Sequence, residues 1–187
     1  RNAVRRIDSS STRKHCLFIG CEEARYVFRV QFYPLAAQCL VGFDLCARFH
    51  QALNSKVRQA FRVKAQVNYG WNTRQRYSDM LGEAHVLPPM TINRAIEMAR
   101  VVVCGYPETT FADAMVSGVP TIMLYPDELY ERHPVTRPLL ALLRTVKIVL
   151  HDPAEAAAHL NAIWGDPGEW WNSEDVRHAR AEFERQA

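Results

Sequence analysis

Two adjacent threonines, Thr109 and Thr110, stand a few residues beyond an apolar run and a glycine in VVVCGYPETTFADAM at residues 101–115. The run reads as a buried strand that leaves through Gly105, passes Tyr106, Pro107 and Glu108, and enters a helix at the threonines. A helix start presents backbone N–H groups without intrahelical acceptors and the positive end of the helix dipole. Here two hydroxyls stand among them. A phosphate suits that arrangement, with Gly105, Glu108, Thr109 and Thr110 around it. An ordinary capped helix suits it equally, because threonine is a common N-cap.

Other polar sets fall on turns of the same kind. Asn68, Tyr69, Gly70, Trp71 and Asn72 place two amides, two aromatics and a glycine in one strand-terminal turn. The rings could stack on a base or sugar while the amides hydrogen-bond it; an Asx turn with Trp71 packed inward is the plainer alternative. Arg25 and Arg29, four residues apart in EEARYVFR, could hold a carboxylate or phosphate bidentately, or pair with Glu22 and Glu23 in solvent. Glu128, Glu131, Arg132 and His133 follow the apolar run VPTIMLY, where a general base or ribose-binding carboxylate could sit. His15, His50, His85, His151, His159 and His178 show no metal-ligand spacing and receive no role.

The elements that must position these residues alternate. Strands are expected at His15–Ile19, Phe61–Val67, Ala84–Leu87, Arg100–Cys104, Val119–Tyr125 and Lys147–Leu150, from short apolar or alternating runs bounded by turn residues. Helices are expected at Pro34–Leu53, Thr73–Leu81, from Thr91 as cap through Met98, Thr109–Ser117 stopped by Gly118, Pro138–Thr145, Asp152–Trp164 and Ser173 onward. Trp164, Trp170 and Trp171 would pack the last helices onto the sheet. Such alternation implies a Rossmann-like three-layer α/β sandwich with a mainly parallel sheet of about six strands. Ligands of such sheets bind beyond the carboxyl ends of the strands, where strand order reverses.

At 187 residues the chain fits one domain, here residues 15–187 after a linker at residues 1–14. With 48% hydrophobic and 23% charged residues it reads as a folded cytoplasmic protein. No run approaches the roughly 20 apolar residues of a membrane span, and no signal-peptide pattern opens the chain, so any membrane contact would be peripheral, at the inner face. The net charge of +3 does not call for nucleic acid. Cys16, Cys21, Cys39, Cys46 and Cys104 match no zinc or redox spacing and are expected to be reduced and mostly buried. A start at Arg1 rather than methionine suggests a preceding portion.

Four stretches together carry a family resemblance: RYVFR at residues 25–29, NYGWN at 68–72, VVVCGYPETTFADAMVSGVPTIMLY at 101–125, and HDPAEAAAHLNAIWGDPGEWWNSEDVRHAR at 151–180. They resemble the C-terminal half of a bacterial family of surface-carbohydrate transferases with a GT-B-like fold, associated with nonulosonate sugars. The resemblance implies two Rossmann-like domains facing a cleft, an N-terminal partner domain outside this chain, and a C-terminal domain that holds the nucleotide of the donor. It implies a CMP-activated acidic sugar, nonulosonate or Kdo-like, as donor and a surface glycan or lipid-linked precursor as acceptor. Thr109 and Thr110 match the paired hydroxyls that hold the donor phosphate without a metal or other cofactor, and Arg25 and Arg29 suit the sugar carboxylate. Where the family pattern has a glutamate after Thr-Thr-Phe, this sequence has Asp113, whose shorter reach bears on a ribose-binding role. The His-Pro motif of related sialyltransferases is replaced by NYGWN after the second strand. His133-Pro134 lies in a later loop and takes no role from it. A nucleotide-sugar 2-epimerase of the same architecture and a non-catalytic Rossmann-like binding module are the competing readings.

Overall fold

The computed structural model describes residues 13–20, 25, 36–65, 68, 70–107, 109–129 and 133–186, without the side chains of 36–38. Arg29, Tyr69, Glu108, Glu131 and Cys21, together with the linker up to residue 12, lie outside the described residues.

Five strands form one parallel sheet: β1 (His15–Ile19), β2 (Phe61–Lys64), β3 (Ala99–Cys104), β4 (Thr121–Leu124) and β5 (Val149–Leu150), in the order β2-β1-β3-β4-β5. The sixth expected strand, Ala84–Leu87, pairs at a single point. Val86 bridges Val63 in parallel, and the Leu87 N–H donates to the Val63 carbonyl at 2.9 Å. Glu83–His85 curl into a 3-10 turn before it, and Pro88 and Pro89 after it bring no N–H to extend a ladder. With that bridge as the outermost position, spatial order in chain terms is third, second, first, fourth, fifth, sixth. This is the doubly wound Rossmann arrangement, and its switch point lies between β1 and β3.

Strand ends also move inward from their expected limits. Val119 and Pro120 precede β4 because Pro120 has no N–H for the ladder; its carbonyl still accepts from Val102 at 2.8 Å. Lys147 adopts φ 62° and delays β5 to Val149. β2 stops at Lys64, whose ammonium donates to the Ala65 carbonyl at 2.7 Å.

Helices cover both faces, and the alternation of β1 sorts them. Cys16 and Phe18 face α1 (Ala36–Ala52), α2 (Ser55–Ala60), α3 (Thr73–Leu81) and α7 (Pro153–Ile163), through Leu45, Phe49, Val57, Tyr77 and Leu160. Leu17 and Ile19 face α4 (Ile92–Met98), α5 (Thr109–Ser117), α6 (Arg137–Thr145), α8 (Pro167–Trp171) and α9 (Glu174–Gln186), through Ile96, Phe111, Met115, Leu143 and Trp171. Burial on both faces is why the strands read as continuous apolar runs. Each such side chain fully removed from water contributes about 1.5–3 kcal/mol.

Most helix starts follow their expected caps. Thr91 Oγ1 accepts from Arg94 N at 3.3 Å, and Asp152 Oδ1 accepts from Glu155 N at 2.8 Å ahead of Pro153. Gly118, at φ 76°, ends α5. Ser173 precedes α9 but turns its hydroxyl back to the Trp170 carbonyl at 2.8 Å. Two short helices add to the expected set: α2 capped by Asn54 and α8 capped by Asp166, whose Oδ1 accepts from Gly168 N at 3.0 Å. Trp164 and Trp171 are buried as expected, and Trp170 donates Nε1–H to the Val146 carbonyl. Cys16, Cys46 and Cys104 are buried thiols and Cys39 is buried too. Among the described residues, no helix is long and apolar enough to cross a membrane.

Candidate functional site

Because every strand is parallel, all the turns singled out by their chemistry leave from one edge of the sheet. Ile19 pairs with Lys64 on one side and Cys104 on the other, Cys104 with Met123, and Leu124 with Leu150. Gly20, Ala65, Gly105, Tyr125 and His151 are therefore the first residues past that edge.

At the switch point two glycines let the chain pass closely. A Cβ on Gly105 would stand 2.9 Å from Phe18 Cζ and 3.2 Å from the Ile19 carbonyl oxygen. One on Gly20 would meet the Tyr77 phenol, whose ring is buried in the sheet's α3 face. The Gly105 N–H donates to the Ile19 carbonyl at 2.7 Å. Gly105 thus shapes the crevice by close approach, and its amide is already engaged by the neighbouring strand.

Beyond Gly105, Tyr106 is buried and Pro107 exposed, and α5 begins at Thr109. Phe111, Ala114 and Met115 fix its inner face to the sheet. Thr109 is exposed and Thr110 half-buried, and among the described residues neither hydroxyl has a hydrogen-bond partner. Asp113 is exposed one turn along, at i+4 from Thr109 and on the same helix surface. Adjacent Cys104 is no nucleophile: burial pushes its thiol up to about 12, so it stays protonated at neutral pH.

The neighbouring turn is built from its own amides. Asn68 Oδ1 accepts from Gly70 N at 2.9 Å and Asn72 N at 3.1 Å, and Asn68 Nδ2 donates to Asn72 Oδ1 at 3.2 Å. Gly70 at φ 98° and Asn72 at φ 51° take the left-handed conformations this turn requires. The Asx-turn alternative therefore describes the two asparagines. Trp71 does not pack into the core; it is half-exposed, with two guanidiniums over its ring, Arg25 at 5.6 Å and Arg76 at 5.9 Å from the ring centroid. Arg25 Nη1 also donates to the Gly70 carbonyl at 3.4 Å, and Arg76 Nε to the Trp71 carbonyl at 2.7 Å. Arg25 and the 68–72 turn, separated in sequence, thus meet as one aromatic and cationic wall.

The far side of the edge carries a pair that the sequence did not single out. His151 Nδ1 lies 2.9 Å from the Tyr125 carbonyl, which can only accept, so Nδ1 carries the proton. Its Nε2 then faces Asp127 Oδ1 at 3.9 Å, and its ring stands edge-on to Tyr125 at 4.8 Å. His133 is spent locally, its Nδ1 accepting from Val135 N at 3.3 Å. Arg76, Lys64, Tyr77, Asp127 and His151 are the edge residues that pattern reading passed over. Their shared signal is position at the carboxyl end of a strand, within three residues past it, or on the helix that follows it. Among the described residues, no group of three His, Cys, Asp or Glu side chains could hold a metal ion.

The chain matches the model described as LIC12162 family transferase over residues 2–187. No curated protein matches it.

Proposed function

This chain belongs to the LIC12162 family of transferases, and we propose that within it the carboxyl edge is the donor site of a GT-B-type glycosyltransferase. The donor in this reading is a CMP-activated acidic sugar of the nonulosonate or Kdo type, moved onto a surface glycan or its precursor. The observation that carries the proposal is the start of α5. Two hydroxyls, without hydrogen-bond partners among the described residues, stand at the start of α5 beside the switch point of a Rossmann-like sheet.

The chemistry follows from the charges that develop. Breaking the bond from sugar to phosphate leaves negative charge on the phosphate, and the α5 amides, Thr109 and Thr110 stabilise it without reorganising. Arg25, with Arg29, holds the carboxylate of the sugar, and Trp71 offers a ring face to the base or sugar. Asp113 or Glu131 accepts a hydrogen bond from the ribose, and Asn68, Tyr69 and Asn72 complete that side. The acceptor and the group that deprotonates it belong to a facing domain.

Calorimetric titration of the folded chain with CMP and UDP tests the reading. Saturable CMP binding that persists in EDTA is expected, with UDP weaker. Thr109→Ala/Thr110→Ala should weaken CMP by about 2–3 kcal/mol while leaving the melting temperature unchanged. No saturable binding of either nucleotide would overturn the proposal, and unchanged affinity in the variant would remove the threonines from the site.

A further inference from the structure

The opposite, amino-terminal edge of the sheet holds a cavity of about 520 Å³ whose lining, among the described residues, includes Arg13, Lys14, His15, Lys56, Arg62 and Arg100 and no acidic residue. Five of these are formal cations on a chain whose net charge is only +3. Among the described residues, Lys14, Lys56, Arg62 and Arg100 make no ion pair with a carboxylate.

The two arginines are held rigidly by backbone. Arg62 Nη1 donates to the Gln59 and Phe61 carbonyls at 2.8 and 2.6 Å, at the end of α2. Arg100 donates through Nε to the Trp164 carbonyl at 3.2 Å and through Nη2 to Gly165 at 2.6 Å, just past α7, and its guanidinium lies over the Trp164 ring at 5.6 Å. Capping the carboxyl ends of two helices accounts for these arginines. It does not account for Lys14 and Lys56, both exposed, which bring further positive charge to the same concavity. Burial and the charges of Arg62 and Lys14 also lower the pKa of His15, a sign of the positive potential there.

Guanidiniums fixed by backbone carbonyls, exposed ammonium groups and a concave volume in the range of small-ligand sites match a compact, multiply charged anion. We propose that this cavity is a second binding site, separate from the carboxyl edge, for a phosphate-bearing ligand such as a diphosphate or phosphomonoester group. Such a group can arrive free in solution or at the head of an anionic lipid.

Titration with inorganic pyrophosphate and flotation with phosphatidylglycerol vesicles, phosphatidylcholine vesicles serving as control, distinguish the sources. Each is run on the intact chain, on Lys14→Gln/Lys56→Gln, and on Thr109→Ala/Thr110→Ala. Both lysines are exposed, so their variant should keep the melting temperature of the parent. Saturable pyrophosphate binding, weakened tenfold or more by the lysine variant and retained in the threonine variant, is expected for a free phosphate ligand. Flotation with the anionic vesicles alone, lost in the lysine variant, would assign the phosphate to a lipid headgroup. If neither probe binds, or binding is indifferent to the lysines, the proposal is overturned. Because the threonine variant reports on the opposite edge, the donor-site reading can fail while this one stands, and the reverse.

Discussion

At the scale of single residues, the two glycines of the crevice make the sharpest case for why a residue type is required. Gly20 is constrained by one atom of a neighbouring side chain, the Tyr77 hydroxyl. Gly20→Ala should therefore destabilise the fold by about 1–3 kcal/mol through overpacking, and Tyr77→Phe should recover part of that loss by removing the clashing oxygen. Denaturant unfolding of the two single variants and the double variant measures the coupling; strictly additive losses would contradict this account of Gly20. Gly105 offers no such relief, because Phe18 beside it is fully buried and packs near Phe49 and Phe61 at 6.2 and 6.1 Å. The start of α5 at Thr109 was legible from sequence because its signal is local: an apolar run, a glycine, a helix start. The contact of Arg25 with Gly70 and Trp71 was not, since it joins turns 45 residues apart and depends on two strands ending level. His151 was passed over for the same reason, its place beside Tyr125 and Asp127 following only from the β4–β5 register.

At the scale of elements, helix α7 joins packing to pH. His159 is 8% exposed, stands edge-on to Trp170 at 4.8 Å, and among the described residues its Nε2 has no hydrogen-bond partner. Burial, with a smaller push from Lys147, holds it down at about 4. Burial, then His85 and Arg58, hold His50 of α1 at about 4 as well. Above the ordinary histidine value of 6.5 neither folded nor unfolded chain carries these protons. As pH falls from 6.5 toward 4 the unfolded chain takes them up and the folded chain does not, so stability falls across that window and this contribution levels off below it. The His159 share should be on the order of 1–2 kcal/mol, or about 5 °C in melting temperature between pH 7 and pH 4.5. His159→Phe should flatten the melting curve over that range, and an unchanged slope would contradict the assignment. The caps of α4 and α7 and the glycine stop of α5 were readable because they are written in two or three adjacent residues. Strand limits were not, since Pro120, Lys147 and the prolines after Leu87 trim the ladders through backbone geometry that apolar patterning does not register.

At the scale of the whole molecule, one sheet presents two edges of different character. The carboxyl edge carries the two hydroxyls at the start of α5 and the Arg25–Trp71–Arg76 wall; the amino edge carries the concentrated basic charge. The parallel α/β class followed from alternation alone, but the switch point needed the observed order, in which β1 lies between β2 and β3. Family membership over residues 2–187 makes the molecule a transferase by kinship, and the claim that the carboxyl edge holds its donor nucleotide is central to the account. Amide chemical shifts of the isotopically labelled chain during CMP titration test it most directly. Saturable shifts are expected at Gly105, through the first turn of α5 and across Gly70–Asn72. Saturable binding that leaves α5 unmoved, or shifts confined to the amino edge, would contradict it.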